Sequence, residues 1–216
     1  FSLKHNIPVI ISGKSIQKYR FIKNNFKWGT KSVISSLHTK KNFQTTEIIG
    51  TRLCNIYRTV LKPSRFLAGD NVIRIFNKSE LSDSCLILIL NSHLMSYVAK
   101  KYLMNLIEFT MFINSVTDST PIVVPKNPLI FEVCGSYLLF LNQLSEESIN
   151  DQSKYNLVQL VNFFDKLGNA MVYELYFDEK LNSALLSLLN SFQSHPINHM
   201  SWIELLFNED KKIELN

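Results

Sequence analysis

Two rhythms of apolar and polar positions run along this chain. Pro8–Ser12 is a short apolar run with three β-branched residues, closed by Gly13, and predicts a first strand with Pro8 at its edge-tolerant start. From Ser15, a candidate N-cap, Ile16, Tyr19, Ile22 and Phe26 recur at helical spacing, so the pattern predicts a helix to about Trp28, stopped by Gly29. Ser32–Leu37 reads as a short turn and the Lys40-Lys41 region as a polar, basic loop. Glu47–Ile49 is a candidate second strand. Thr51–Lys62 carries Leu53, Ile56, Tyr57, Val60 and Leu61 at helical spacing, and Pro63 would end that helix. Asp70–Phe76 is compatible with strand or helix.

The longest clean apolar run is Cys85–Leu90, which lacks alternation and predicts a strand covered on both faces. Asn91-Ser92 then supplies a turn, with Ser92 capping a helix that carries Leu94, Val98, Tyr102 or Leu103, Leu106 and Phe109 on its apolar face. Thr110–Val116 and Ile122–Val124 lean to β structure around a turn at Thr117–Pro121. Pro125–Pro128 reads as a rigid loop, Leu129–Cys134 as a strand, and Tyr137–Leu144 as helix or strand. Ser145–Lys154 is polar and acidic, a candidate linker. Beyond it, Tyr155–Leu167 predicts a helix burying Leu157, Leu160, Val161 and Phe164 and ending at Gly168. Asp178 caps a second, Glu179–Phe192, with a broad apolar face, and Trp202–Phe207 allows one more amphipathic turn. The sequence thus predicts an α/β fold, with α+β as its neighbour. A layered mixed sheet with flanking helices occupies 1–144, a polar linker 145–154, and a mostly helical C-terminal segment 155–216.

Composition adds one strong signal. Residues 1–78 hold fifteen Lys and Arg against only Glu47 and Asp70, net +13, whereas 79–216 hold eight basic and sixteen acidic residues, net −8. So lopsided a division predicts a basic surface for a polyanion. Lys14, Lys18, Arg20, Lys23, Lys27 and Lys31 surround the first predicted helix, and Arg52, Arg58, Lys62 and Arg65 surround the second, giving ten candidate phosphate contacts. No single-strand-binding or zinc-finger signature accompanies them, which favours recognition of RNA by shape and phosphate over base readout.

Other chemistry is thinly represented. Three widely spaced cysteines argue against a disulfide framework or Cys-rich metal site. His195 and His199 are close, but Pro196 between them spoils a helical metal pair, and no metal or cofactor is expected. The chain has no G-x-S-x-G, P-loop, G-x-G-x-x-G or H-E-x-x-H, and its acid pairs Glu146-Glu147 and Asp178-Glu179 sit in capping surroundings, so no enzyme and no small-molecule substrate is predicted. No apolar run approaches the roughly 18 residues of a membrane span. In the C-terminal helix, Leu181, Leu185, Leu188, Leu189 and Phe192 pack into a core or dock a partner.

The order of these features resembles the stalk-base protein of the large ribosomal subunit, the tenth protein of the bacterial-type particle, above all its mitochondrial form. The likeness lies in the predicted strand and basic helix near the start, in Thr51–Lys62 (TRLCNIYRTVLK), and in the apolar strand and helix at Cys85–Phe109. FSLKHN at Phe1–Asn6 and AMVYEL ahead of Leu181–Phe192 add to it, whereas Arg58-Thr59 stands where the family has Asn-Thr. The resemblance implies a structural, ribosomal-RNA-binding component in the mitochondrial matrix. It also implies neighbouring ribosomal proteins as partners, with the C-terminal helix recruiting acidic stalk dimers. The alternative expectation is a protein–protein adaptor working through the leucine-rich helix.

Overall fold

The computed structural model describes residues 7–10, 12–30, 37–52, 56–103, 118–147 and 151–177. Its strands are β1 (Ile7–Ile10), β2 (Ile16–Gln17), β3 (Arg20–Phe21), β4 (Lys27–Gly29), β5 (Glu47–Thr51), β6 (Thr59–Lys62), β7 (Leu67–Ala68) and β8 (Val72–Ile75). Helices are α1 (Leu37–Gln44), α2 (Asp83–Leu90), α3 (His93–Val98, continued by a π-helical turn at Ala99–Leu103), α4 (Pro128–Glu147) and α5 (Asp151–Phe177). Among the described residues the strands form three small sheets. One has the order β4-β1-β7 and is mixed, β1 running antiparallel to β4 and parallel to β7. The second is the hairpin β2-β3, and the third is the antiparallel β6-β5-β8. The fold class is therefore the expected mixture of sheet and helix, but the sheet is divided into three.

The largest correction is at the apolar run. Cys85–Leu90 is not a strand but the body of α2. Ser82 caps it by accepting from the Cys85 N–H at 3.3 Å, and Asp83 faces the positive end of the helix dipole. The run shows no polar face because α2 is enclosed on every side: β5 and β6 pack on one flank, α4 and α5 on the other, and residues 84–90 are all buried. Two glycines make that enclosure possible. A β-carbon at Gly135 of α4 would lie 2.2 Å from the Ser84 carbonyl oxygen, and one at Gly168 of α5 would lie 2.6 Å from Leu88 Cδ1. Ser92 caps α3 as the sequence predicts, accepting from the Met95 N–H at 3.2 Å.

Two predicted helices are strands and turns instead. Residues 13–29 form β2, β3 and β4 with two short 3-10 turns, and Phe21, off the predicted helical stripe, is fully buried between Phe26 and Phe66, ring centroids 5.6 and 6.1 Å away. Of residues 51–62, Thr51 ends β5 and residues 59–62 form β6, whose residues are buried on both faces, and no described residue between them is helical. The Lys40-Lys41 loop is helical, in α1, and Asp70–Phe76 contains the strand β8. Leu129–Cys134 is part of α4, which starts with Pro128 at the position where its missing N–H costs nothing. Ile122–Val124 forms no strand. Of the polar stretch 145–154, residues 145–147 end α4 and residues 151–154 begin α5, both helices packing on α2, and α5 runs through Gly168 rather than stopping there. Leu157 and Phe164 are buried as expected, Val161 is half-buried, and Leu160 is exposed. The predicted elements at 32–36, 104–116, 179–192 and 202–207 lie outside the described residues. The order of strand and helix on which the stalk-base resemblance rests is therefore not the observed order at 15–28, 51–62 or 85–90.

Candidate nucleic-acid interface

Strand register fixes where the basic residues stand. In the β5–β6 hairpin Glu47 pairs with Lys62 and Gly50 with Thr59, so the connection bearing Arg52 and Arg58 is at one end and Lys62 at the other. The Thr51 N–H donates to the Arg58 carbonyl at 3.1 Å and closes that end. Other basic segments pack against it. A β-carbon at Gly13 would be 3.0 Å from Thr51 Cγ2, so the 13–15 turn carrying Lys14 lies directly on the hairpin. Asn25 then ties in the 23–25 turn: its Nδ2 donates to the Lys14 carbonyl and its own carbonyl accepts from Ser15 Oγ, both at 2.9 Å. The Arg52 guanidinium donates to the Asp70 carbonyl at 3.4 Å. Lys14, Lys23, Arg52 and Arg58 are thus borne by segments in mutual contact at one end of the β half. Lys14 and Arg52 are exposed, Lys23 and Arg58 half-buried.

This end is rigidly built. Asn91, at the α2–α3 junction, acts as a substitute strand partner for β6: its Oδ1 accepts from the Thr59 N–H and Oγ1 at 2.7 and 3.0 Å, and its Nδ2 donates to the Thr59 carbonyl at 2.9 Å. That carbonyl also accepts from the Tyr19 N–H at 3.2 Å, fastening the tip of the β2–β3 hairpin beside Arg58. Ser96 Oγ accepts from the Tyr57 N–H at 3.0 Å, and the Tyr57 hydroxyl bonds Thr120 Oγ1 at 2.7 Å. Asn42 satisfies both backbone groups of Ala68 in β7 in the same way, and Gln143 accepts from the Phe21 N–H in β3. Helix-borne amides therefore close strand edges that would otherwise be open. Asn91→Leu keeps the volume but takes the acceptor from the buried Thr59 N–H and leaves the Thr59 carbonyl with the Tyr19 N–H alone. We expect a loss of about 2–4 kcal/mol in denaturant unfolding and faster amide exchange at Thr59 and Val60. A change below about 0.5 kcal/mol, the scale of an indifferent substitution, would contradict the clamp.

The remaining sequence candidates divide. Lys18 pairs with Asp165 of α5 at 3.1 Å and Arg20 with Glu146 of α4 at 3.1 Å, so both join the β2–β3 hairpin to the helices. Lys27 is exposed on edge strand β4 beside Trp28, which is 55% exposed. Arg65 is exposed in a left-handed turn (φ 73°), its N–H donating to the Phe43 carbonyl at 2.6 Å. That contact sets it beside α1, whose exposed Lys40 and Lys41 form a second basic group, borne by a helix and not a loop. Lys31 lies outside the described residues, as do Leu181, Leu185, Leu188, Leu189 and Phe192. Lys62 is a correction. Its side chain is fully enclosed, and the ammonium donates to the carbonyls of Thr45, Asn42 and Phe66 at 2.7, 2.8 and 3.1 Å, with Glu47 Oε1 at 3.7 Å. It has no surface to offer a phosphate.

Burial pushes the Cys85 and Cys134 thiols up to about 12, so neither is a thiolate nucleophile at neutral pH. Burial, reinforced by Asp165, also holds the Tyr19 hydroxyl well above its ordinary range, and it stays neutral. Among the described residues no group of His, Cys, Asp and Glu is placed to hold a metal ion, and no helix is long and apolar enough to cross a membrane. No protein-family model matches the chain, and no curated protein matches it.

Proposed function

We propose that this chain is a non-enzymatic nucleic-acid-binding module that grips backbone phosphates with the basic end of its β half. The observation that carries this reading is the convergence of Lys14, Lys23, Arg52 and Arg58, from separate segments, on one clamped end of the β5–β6 hairpin. A surface assembled this way, in a stretch with net charge +13, displaces counterions from phosphates.

A ribosomal-RNA-binding role in a mitochondrial large subunit is the second reading, and one observation favours it. Trp28 stands exposed on an edge strand next to exposed Lys27, an arrangement on which an unpaired base stacks.

The charge reading is tested with Lys14→Ser, Lys23→Ser, Arg52→Ser and Arg58→Ser combined. Binding to a 20-base-pair duplex is titrated between about 50 and 200 mM salt, where phosphate contacts weaken most steeply. The expected result is weaker binding at every salt concentration and a log–log salt slope smaller by about 4, with unfolding unchanged. Unaltered affinity and slope would overturn the reading and leave the protein–protein adaptor in its place.

A further inference from the structure

Among the described residues, two that are not glycine hold positive φ, Tyr19 at 63° and Arg65 at 73°. Each strains the fold, because in the left-handed region a β-carbon crowds the following carbonyl and glycine has none. At Tyr19 the strain is offset within the protein: the side chain is buried in the core and the N–H donates to the Thr59 carbonyl. Arg65 has no such return. Its N–H bond to the Phe43 carbonyl is one glycine would make equally well, and its side chain is exposed. Among the described residues no carboxylate pairs with it, nor with Lys40 or Lys41. A strained residue whose side chain does nothing for the fold points to contact with another molecule.

The turn that carries Arg65 is fixed from beneath. The buried Lys62 ammonium donates to the Phe66 carbonyl at the end of that turn and to the Asn42 and Thr45 carbonyls at the end of α1. Phe66 itself is packed against Phe21 and Phe26, ring centroids 6.1 and 5.7 Å away. One ammonium thus locks Arg65 to the helix that bears exposed Lys40 and Lys41. Glu47, the acid at this end of the β5–β6 hairpin, is buried and engaged by Lys62 and Arg74. What meets solvent is therefore cationic, and the planar Arg65 fork suits two oxygens of one phosphate.

This group is separate from the one at Arg52 and Arg58. In the β5–β6 ladder the Glu47–Lys62 pair marks its end and the Gly50–Thr59 pair the other, three residues or about 10 Å away. One phosphate cannot meet both ends, whereas a nucleic-acid backbone, charged at short regular intervals, reaches each. We infer that Arg65, Lys40 and Lys41 form a second phosphate anchor, so that the chain holds its nucleic acid at both ends of the β5–β6 hairpin. The inference rests on the nucleic-acid reading above and extends its contact surface.

Arg65→Gly tests it, since glycine suits φ 73° and only the side chain is lost. Binding of the full chain to a 20-base-pair DNA duplex is titrated between about 50 and 200 mM salt. The expected result is weaker binding and a log–log slope smaller by about 1, with the unfolding midpoint not lowered. Lys40→Ser with Lys41→Ser, both on the exposed side of α1, should lower the slope by about 2 and serves independently of any effect on the turn. Wild-type slopes in both variants, while the chain changed at Lys14, Lys23, Arg52 and Arg58 loses affinity, would overturn the second anchor and leave the first standing. A wild-type chain that does not bind the duplex would overturn both.

Discussion

Lys62→Met is expected to destabilise the protein by about 3–5 kcal/mol, although methionine matches the lysine stem in length and suits a buried site. The side chain is completely enclosed, and its ammonium is the shared donor to the carbonyls of Asn42, Thr45 and Phe66 and the neighbour of Glu47. Glu47 is itself buried and keeps Arg74, whose guanidinium lies 2.8 Å away, but the three carbonyls lose their ammonium donor. The same site gives a pH signature. Burial pushes the Lys62 ammonium down to about 8, with Arg74 adding to the effect and Glu47 opposing it. A lysine depressed on folding binds its proton more weakly in the native state. Its unfavourable contribution is fully present below about 8 and is relieved as pH rises towards the ordinary lysine value of 10.5. Denaturant unfolding of the wild type should therefore gain a stabilising increment across that window that Lys62→Met lacks. Equal stability of the two proteins at pH 7, with parallel pH profiles, would contradict this account of the cluster.

Gly135→Ala is expected to cost about 3 kcal/mol, whereas Gly168→Ala should change stability by no more than about 1 kcal/mol. Both glycines lie inside long helices, where alanine is intrinsically better by about 1 kcal/mol, so propensity alone predicts stabilisation at each. What separates them is the obstacle. At Gly135 the new methyl group meets main chain, the Ser84 carbonyl, and can be accommodated only by moving α4 away from α2. At Gly168 it meets Leu88 Cδ1, the end of a side chain that can turn aside, and the gain in propensity offsets the adjustment. Thermal or denaturant unfolding of the two variants side by side checks the packing of α2 between α4 and α5. Equal behaviour of the pair would show that the helices do not approach as closely as described.

The sequence made some elements legible and others not, for identifiable reasons. A strand beginning near Pro8, observed as Ile7–Ile10, one at Glu47–Ile49, the Ser92 cap and the helix over Tyr155–Leu167 carry local signals that the fold respects. Cys85–Leu90 does not, because an unbroken apolar run has no period, and only its enclosure by strands on one side and helices on the other makes it a buried helix. The deciding local mark was upstream, in Ser82-Asp83. At 16–28 the helical spacing of Ile16, Tyr19, Ile22 and Phe26 misled: the chain reverses at Lys18-Tyr19, with Tyr19 at φ 63°, and Phe21 turns inward from outside the stripe. The basic character of the first 78 residues was plain from composition, but its grouping was not. Grouping depends on contacts such as Gly13 with Thr51 and Asn25 with Lys14. Other contacts distant in sequence draw Lys18 and Arg20 to the helices and enclose Lys62.

The most direct test of the nucleic-acid reading is competition. A labelled 20-base-pair DNA duplex bound to the intact chain at about 100 mM salt is challenged with unlabelled DNA and RNA duplexes of the same sequence. The account predicts that both duplexes displace the label, since contacts to phosphates carry no base information. Failure of both to displace it, or a label held equally well by the chain carrying Lys14→Ser, Lys23→Ser, Arg52→Ser and Arg58→Ser, would contradict it and favour the adaptor reading.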